Sequence, residues 1–303
     1  MNYFDLQVNG YAGVDFNSDD LSAESLRASC EKLRADGVSA VLSTIITAEL
    51  DVMHRRLERI VKFRGQDPFI AEVIAGIHIE GPFISDRPGY VGAHPVSAVR
   101  PANVDEMKRL LEAADGLTRI VTLAPEKDAD LRVTRMLSAA GIVVAAGHCD
   151  PSVEEIRQAI DAGLSMFTHL GNGCPMTLHR HDNIIQRTLS LADQLWISFI
   201  ADGAHVPWPA LGNYLRITGI DRAIVVTDAI SAAGLGPGTY TIGDRQVTVG
   251  DDLVPWAADR SHFVGSATTM PRMAKALKDY LGFTEDKILR LTRDNPYAAI
   301  GEK

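Results

Sequence analysis

The sequence predicts a (β/α)₈ barrel, and three observations lead to that prediction. Eight short apolar runs alternate with segments of helical spacing, which is typical of parallel strands joined by helices. The length of 303 residues accommodates such a barrel, which typically takes about 250 residues. The apolar runs end in polar side chains, as barrel strands do at the face where active sites are built. We therefore expect a single domain over residues 1–303.

The predicted strands are short and rich in Val and Ile, with turn residues between them and the helices. In chain order they are Tyr3–Val8, Val38–Ile46, Ile70–Ile79, Leu117–Leu123, Ile142–Ala146, Leu164–Phe167, Leu195–Ile200 and Ala223–Val226.

The predicted helices follow from apolar residues at helical spacing and from capping residues such as Ser22 and Asn103. They are Ser22–Ala35, Leu50–Phe63, Asn103–Ala114, Asp128–Ala140, Ile184–Leu191, Pro209–Thr218, Thr269–Leu281, Thr284–Thr292 and Pro296–Ile300. A further helix between the fifth and sixth strands places Ile156, Ala159 and Ile160 on one face. After the eighth strand, the alternating segment Gly238–Val254 predicts an inserted hairpin with its turn at Gly243-Asp244.

Composition argues against several functional classes. The net charge is −9 without a long basic run, so we do not expect nucleic acid as a partner. The apolar runs are all far shorter than the roughly 20 residues of a membrane span, and the first residues do not form a signal peptide. Cys30, Cys149 and Cys174 are too few and too scattered for a disulfide framework. We therefore expect a cytoplasmic protein.

Chemistry-bearing residues follow three of the strands. Between Gly141 and Pro175, two apolar runs end at His148 and His169, and Glu80 closes the third predicted strand. A carboxylate with two imidazoles is a common ligand set of catalytic zinc, with a position left for water. The alternative is that the histidines only cap strands, and His78, on the same strand face as Glu80, remains open between a core role and a ligand role.

Other polar residues follow the remaining strands at the same predicted face. Gln7 and Asn9 end the first strand, His205 follows the seventh and Asp228 follows the eighth. A bound metal would lower the pKa of water towards neutrality, and Asp228 could take the proton and return it to a leaving group. Asp228 alone could equally cap the next segment. Together these residues predict a metal-dependent hydrolase.

The same residues lie in motifs that resemble a known family. The matching segments, in family order over nearly the whole chain, are DLQVNGYAGVDFN, STIITAE, GIHIEGPFIS, GAHP, AAGHCDPS, FTHLGNGCPM, ADGAHV, VVTDAIS and NPYAAIG. The chain thus resembles the N-acetylglucosamine-6-phosphate deacetylases of the amidohydrolase superfamily. The combination of GxHxEGPF, THLxN and VTDA is specific to these deacetylases.

The resemblance implies a distorted barrel of the amidohydrolase kind and a set of site residues. It implies that Glu80, His148 and His169 hold one divalent metal, often zinc, and that Asp228 is the general base and then the acid. His205 and His94 would contact the acetamide and hydroxyls of an amino sugar phosphate. The residues implied for the 6-phosphate are Asn172, Gly173 and Arg180. The resemblance also implies a homodimer, across which the phosphate arginine reaches in some relatives.

Two departures from the family pattern are visible. Gln7 and Asn9 replace the His-x-His pair that binds a second metal in many amidohydrolases. Amides are poor zinc ligands beside imidazole and carboxylate, so we expect a single metal. The segments that build a small β-sandwich in family members are not recognised in this sequence, so the sequence does not decide whether the chain forms the dimer.

Two alternatives to the deacetylase hypothesis remain. The first keeps the metal chemistry but changes the substrate to an epimeric amino sugar phosphate or another N-acyl compound. The second is a non-catalytic sugar-phosphate-binding protein. The presence of Asp228 beside Glu80, His148 and His169 argues against the second, since binding alone needs no general base.

Overall fold

The computed structural model describes residues 2–242, 245–256 and 263–302. Within these ranges, eight parallel strands form one sheet in sequential order, as a (β/α)₈ barrel requires. We number them β1 to β8: Tyr3–Val8, Val38–Ile46, Ile74–Glu80, Thr118–Leu123, Val143–Ala146, Leu164–Phe167, Trp196–Ile200 and Ala223–Val226.

The sheet nearly closes on itself between β1 and β8. The junction is a single parallel bridge between Val8 and Ala229, and the backbone N–H of Asn9 donates to the Ala229 carbonyl at 2.8 Å. Deeper in the same junction, the Thr227 hydroxyl donates to the Asp5 carboxylate at 2.6 Å. This junction brings Gln7 and Asn9 of the first strand next to Asp228.

Helices separate most of the barrel strands. They are α1 Ala23–Ala35, α2 Leu50–Gln66, α3 Pro68–Val73, α4 Val104–Ala113, α5 Arg132–Ala139, α6 Val153–Asp161, α7 Ile184–Leu189, α8 Trp208–Thr218, α9 Met270–Leu281, α10 Glu285–Leu289 and α11 Asn295–Ala299. Both predicted caps are present: Ser22 accepts from the N–H of Ser25, and Asn103 accepts from the N–H groups of Asp105 and Glu106. In the described part of the chain, no helix is long and apolar enough to span a bilayer.

The predicted third strand begins too early. Residues 70–73 belong to helix α3, and the strand runs from Ile74 to Glu80. The Asp67 side chain accepts hydrogen bonds from the N–H groups of Phe69 and Ile70, and Pro68 occupies the first turn, where its missing N–H costs nothing. Local capping therefore overrides the strand preference of Ile70 and Val73.

The predicted helix Asp128–Ala140 also begins later than expected. Asp130 and Leu131 have left-handed backbone conformations, and α5 starts only at Arg132. The Asp128 carboxylate accepts from the N–H groups of Val133 and Thr134, so it caps the helix although it lies four residues before Arg132 in sequence. Near the C-terminus, α10 continues through a π-helical turn, Arg290–Asp294, directly into α11, so the two predicted helices form one helical segment.

After β8 the chain forms a small antiparallel sheet outside the barrel. Gly238–Ile242 pairs with Arg245–Val249, and Pro255–Trp256 adds a third short strand. The turn predicted at Gly243-Asp244 lies outside the described residues. Phe263, which follows this sheet, returns to the mouth of the barrel and contacts the site described below.

We expect Asp5 to make stability depend on pH. Burial raises the pKa of Asp5 to about 7, above its unfolded value. From pH 4 to 7 the unfolded chain therefore ionises first, so this group lowers stability as the pH rises. The difference in the free energy of unfolding between Asp5→Asn and wild type should shift in favour of the variant by on the order of 4 kcal/mol from pH 4 to pH 8, since one pKa unit equals about 1.36 kcal/mol.

Thermal and urea unfolding at several pH values measure this effect. Asp193→Asn, which changes an exposed carboxyl, is the matched control and should follow the wild-type profile. Parallel profiles for wild type and Asp5→Asn would show that Asp5 is ionised in the folded protein throughout this range.

Candidate active site

Three residues at the mouth of the barrel have a left-handed backbone. His148, His169 and Asp228 each lie two residues beyond the end of a strand, with φ angles of 51°, 35° and 50°. A residue with a side chain pays about 1–3 kcal/mol to adopt such a conformation, and residues of this kind cluster at functional sites. All three strained positions carry side chains predicted for the site.

Glu80, His148 and His169 form a buried cluster. One carboxylate oxygen of Glu80 lies 3.0 Å from Nε2 of His169 and 3.3 Å from Nε2 of His148. The ligand atoms of the three residues all lie within 4.8 Å of one another. Two imidazole nitrogens and a carboxylate oxygen directed at one point are the donor set of a three-ligand metal site, so these residues fit a divalent ion.

The ring of His148 is held in place by its surroundings. Its Nδ1–H donates to the Tyr90 carbonyl at 2.8 Å, which leaves the Nε2 lone pair for a metal. Gly92 and Gly173 both have positive φ, and a Cβ on either residue would lie about 3 Å or less from the ring. Glycine is required at both positions because the loops approach the imidazole so closely.

Asp228 is bound by the two amides that end β1. Asn9 Nδ2 donates to its Oδ1 at 2.7 Å, and Gln7 Nε2 donates to the same atom at 3.1 Å. Gln7 Nε2 also lies 3.1 Å from Glu80 Oε1, so the amide joins the two carboxylates. Both amides bond to Oδ1 of Asp228, which leaves Oδ2 for other chemistry.

The two carboxyl groups have opposite pKa shifts. Burial, reinforced by the negative charge of Glu80, raises the pKa of Asp228 to about 6. Burial also disfavours ionisation of Glu80, but hydrogen bonds with His148 and His169 hold the pKa of Glu80 well below its usual value. Carboxyl groups with such divergent pKa values suit different roles, one as a permanent anion and one as a proton carrier.

His205 is paired with a carboxylate that sequence reasoning missed. Asp202 Oδ2 lies 2.7 Å from Nδ1 of His205, and both side chains are buried. The ring centroid of His205 lies 4.8 Å from that of Phe263. The signal was present in the sequence, since Asp202 precedes His205 by three residues in ADGAH.

A cavity of about 280 Å³ opens beside the Glu80–His148 edge of the cluster. Its wall includes His94, which is buried and packs against the His148 ring at 4.4 Å between centroids. Burial and the neighbouring His148 lower the pKa of His94 to about 3, so His94 is neutral near pH 7. Other lining residues are Asn9, Asn17, Thr47, Arg56, Glu80, Asn172, Asp228, Ile230, Ser231 and Phe263.

The residues predicted for the phosphate are not all brought together. Asn172 lines the cavity, and Gly173 packs behind it on His148. Arg180 is exposed and is not part of the described cavity wall. The wall instead contains Arg56 of α2, whose side chain also contacts Asp19. The sequence carried no signal for Arg56, because its place depends on how α2 docks over β2.

His78 has a different environment from the cluster residues. Its Nε2 lies 2.7 Å from the Thr122 hydroxyl, and its Nδ1 donates to the Leu6 carbonyl at 3.1 Å. Both ring nitrogens are therefore used inside the barrel. Burial lowers the pKa of His78 to about 4, as expected for a neutral core histidine.

The fold and the site define a class: a (β/α)₈-barrel hydrolase with a buried carboxylate and two histidines that could hold a metal, and a second carboxylate nearby. Comparisons with known proteins give the family. The chain is 32% identical over 308 residues to N-acetylglucosamine-6-phosphate deacetylase of Bos taurus, covering 99% of the chain and 73% of the relative. The chain belongs to the family of N-acetylglucosamine-6-phosphate deacetylases.

Two further relatives are named as deacetylases of N-acetylated amino sugar 6-phosphates. An Escherichia coli O157:H7 protein, N-acetylgalactosamine-6-phosphate deacetylase, is 30% identical, with 99% of the chain and 77% of the relative covered. The solved structure of N-acetyl-D-glucosamine-6-phosphate deacetylase from Mycobacterium smegmatis, in complex with N-acetyl-D-glucosamine-6-phosphate, superposes with a TM-score of 0.87 at 28% identity, covering 99% of this chain and 77% of that one. The chain thus spans about three quarters of the length of these relatives. No protein-family model matches it.

Proposed function

We propose that the protein hydrolyses the acetamide of N-acetyl-D-glucosamine 6-phosphate to glucosamine 6-phosphate and acetate, in amino sugar catabolism. The observation that carries this proposal is the convergence of Glu80, His148 and His169 next to Asp228 at one cavity. The family relationship supports the same reaction. Acetate release from N-acetyl-D-glucosamine 6-phosphate, with metal analysis of the same sample, tests it.

Glu80, His148 and His169 would hold one divalent ion per chain, and we propose zinc. Two imidazoles and a carboxylate match the ligands of catalytic zinc, while the amides of Gln7 and Asn9 are engaged with carboxylates. When bound, such an ion polarises a carbonyl and makes water a nucleophile near neutral pH.

Asp228 is the proton carrier in this proposal. Gln7 and Asn9 hold Oδ1, so Oδ2 can take a proton from the attacking water. The same atom then returns the proton to the nitrogen as the C–N bond breaks, which lets glucosamine 6-phosphate leave as an amine. A pKa of about 6 suits a group that must both accept and release a proton near neutral pH.

His205 and His94 would bind the acetamide and sugar hydroxyls, with His205 stabilising the oxyanion. His94 is neutral and lines the cavity, so it can both accept and donate hydrogen bonds to hydroxyl groups. Asn172, Gly173 and Arg180 would hold the 6-phosphate. The guanidinium of Arg180 matches the geometry of a phosphate dianion.

We expect Arg180→Ala to impair the phosphorylated substrate much more than its unphosphorylated analogue. A charge-assisted hydrogen bond is worth about 1.5–3 kcal/mol, so kcat/KM should fall about ten- to a hundredfold for the phosphorylated sugar only. Steady-state kinetics on both sugars measure this. Arg157→Ala, which removes an exposed arginine of α6, serves as control. Equal losses on both sugars would mean that Arg180 supports the fold instead.

We further propose one domain over residues 1–303, a cytoplasmic location and a homodimer. Arg180 is exposed and lies outside the cavity wall of its own chain, which supports the homodimer, because Arg180 could bind the phosphate in the site of a second copy. Light scattering on wild type and on Arg180→Ala would report the oligomeric state. A monomer with full selectivity for the phosphorylated substrate would overturn the dimer proposal.

The main alternative is an epimeric substrate. One relative of 30% identity is named for N-acetylgalactosamine 6-phosphate, so the family includes both sugars. A panel of N-acetyl hexosamine 6-phosphates separates the two. Higher kcat/KM for the galactose epimer would reassign the substrate without changing the chemistry.

A further inference from the structure

The turn that follows β7 holds a buried carboxylate–imidazole pair. Asp202 and His205 have side chains that are 3% and 1% exposed, and Asp202 Oδ2 lies 2.7 Å from His205 Nδ1. An ionised carboxylate accepts hydrogen bonds and cannot donate them, so the proton of this bond lies on Nδ1. The pair therefore keeps Nδ1 protonated.

Asp202 is itself held as an anion. Its Oδ1 accepts the backbone N–H groups of Ala204 and His205, each at 2.9 Å. Burial disfavours the charge, but the proximity of His205 and these hydrogen bonds lower the pKa of Asp202. Gly203 has φ 79°, and a Cβ there would lie 2.5 Å from the Trp208 ring, so the turn is tightly constrained.

The other ring nitrogen of His205, Nε2, is buried and makes no hydrogen bond within the described residues. The ring packs on Phe263, which lines the cavity. A buried nitrogen without a partner is unfavourable, and a substrate group that bonds to it would remove that cost.

We propose that Asp202 is a positioning residue that keeps His205 Nδ1 protonated and balances an imidazolium, so that Nε2–H donates to the acetamide oxygen as it gains negative charge. With Nδ1–H committed to Asp202, a neutral ring would present only a lone pair at Nε2. A donor at Nε2 requires the charged ring, and a buried cation is tolerated when an anion is paired with it.

This inference rests on the proposed deacetylation and adds no proton transfer to it. Water adds its oxygen to the carbonyl carbon, the C–N bond breaks, and the nitrogen receives its proton through Asp228. His205 donates a hydrogen bond throughout and keeps its proton. Donors aimed at a developing oxyanion are among the largest contributors to catalysis.

The variant Asp202→Asn separates this role from a structural one. The Asn oxygen can still accept the two backbone N–H groups, so the turn is preserved. Its NH₂ group would face Nδ1 as a donor, so the ring gives up its Nδ1 proton, keeps its Nε2 proton and loses its charge. We expect kcat to fall about 10- to 100-fold while KM changes by less than about threefold, because a neutral donor is weaker than a charged one. Asp161→Asn, an exposed carboxyl of α6, is the control.

Nitrogen NMR on the zinc-supplemented 303-residue protein, labelled at histidine, reads the protonation of the ring directly. The His205 signals are identified by their loss in His205→Gln. We expect both ring nitrogens to be protonated in wild type, and only Nε2 to be protonated in Asp202→Asn. This readout needs no turnover. A protein that releases no acetate would contradict the proposed function, whereas the NMR spectra would still test the role of Asp202.

Three results would overturn the inference: a bare Nδ1 or a bare Nε2 on His205 in wild type, an unchanged ring pattern in Asp202→Asn, or the expected change of pattern with unchanged kcat on a substrate that wild type hydrolyses. The wild-type spectrum alone decides the first point, even if the variant fails to fold.

Discussion

Replacing Asp228 by Asn should lower kcat for acetate release by about 10²–10⁴-fold, the usual contribution of general acid–base catalysis. The reason is local. Asn retains an oxygen to accept the hydrogen bonds from Gln7 and Asn9, but it presents an NH₂ group where Oδ2 would take the proton. Most of the metal and sugar binding should therefore survive. Fixed-time acetate assays measure kcat, and calorimetry measures binding of the phosphorylated sugar.

Asp161→Asn is the matched control for this substitution, because it makes the same chemical change on the surface. Near wild-type kcat in Asp228→Asn with full metal occupancy would remove Asp228 from proton transfer. Loss of the metal from Asp228→Asn would instead reassign Asp228 as a principal ligand.

His148→Ala should remove most of the bound metal and reduce activity by more than about 100-fold. The substitution deletes one of three converging ligand atoms and leaves the Tyr90 carbonyl without its donor. Loss of a partner that merely orients a ligand already costs about 10–100-fold, so loss of the ligand costs at least as much. Metal analysis of purified protein, paired with kinetics, measures the effect.

His54→Ala, on the outer helix α2, is the control for His148→Ala. Circular dichroism establishes that both variants are folded. Wild-type metal content in His148→Ala would contradict its assignment as a ligand. Two tightly bound ions per wild-type chain, with Gln7 or Asn9 among the ligands, would contradict the single-metal proposal.

The sequence was sufficient for the barrel and for the convergence of Glu80, His148 and His169 because of one geometric rule. Sequential parallel strands end at the same edge, so polar residues that follow them meet there. Glu80 and His169 lie 89 positions apart in sequence, yet their ligand atoms and that of His148 lie within 4.8 Å of one another. The predicted barrel is confirmed, with its strands in sequential order.

Features that depend on local competition or on distant docking were not predictable. Ile70 and Val73 favour a strand, but the cap at Asp67 makes them helical. The amides of Gln7 and Asn9 were expected only to be poor ligands, whereas they donate hydrogen bonds to the carboxylates of Asp228 and Glu80. The exposure of Arg180 depends on the path of a long loop, which hydrophobic spacing does not encode.

Acetate release from a panel of N-acetyl hexosamines and their 6-phosphates, with metal analysis of the same sample, tests the central claim most directly. We predict equal amounts of acetate and glucosamine 6-phosphate from N-acetyl-D-glucosamine 6-phosphate. Activity should require about one divalent ion per chain, disappear with a chelator and return when zinc is restored. Folded, metal-loaded protein that binds the sugar phosphates but releases no acetate from any of them would contradict the account.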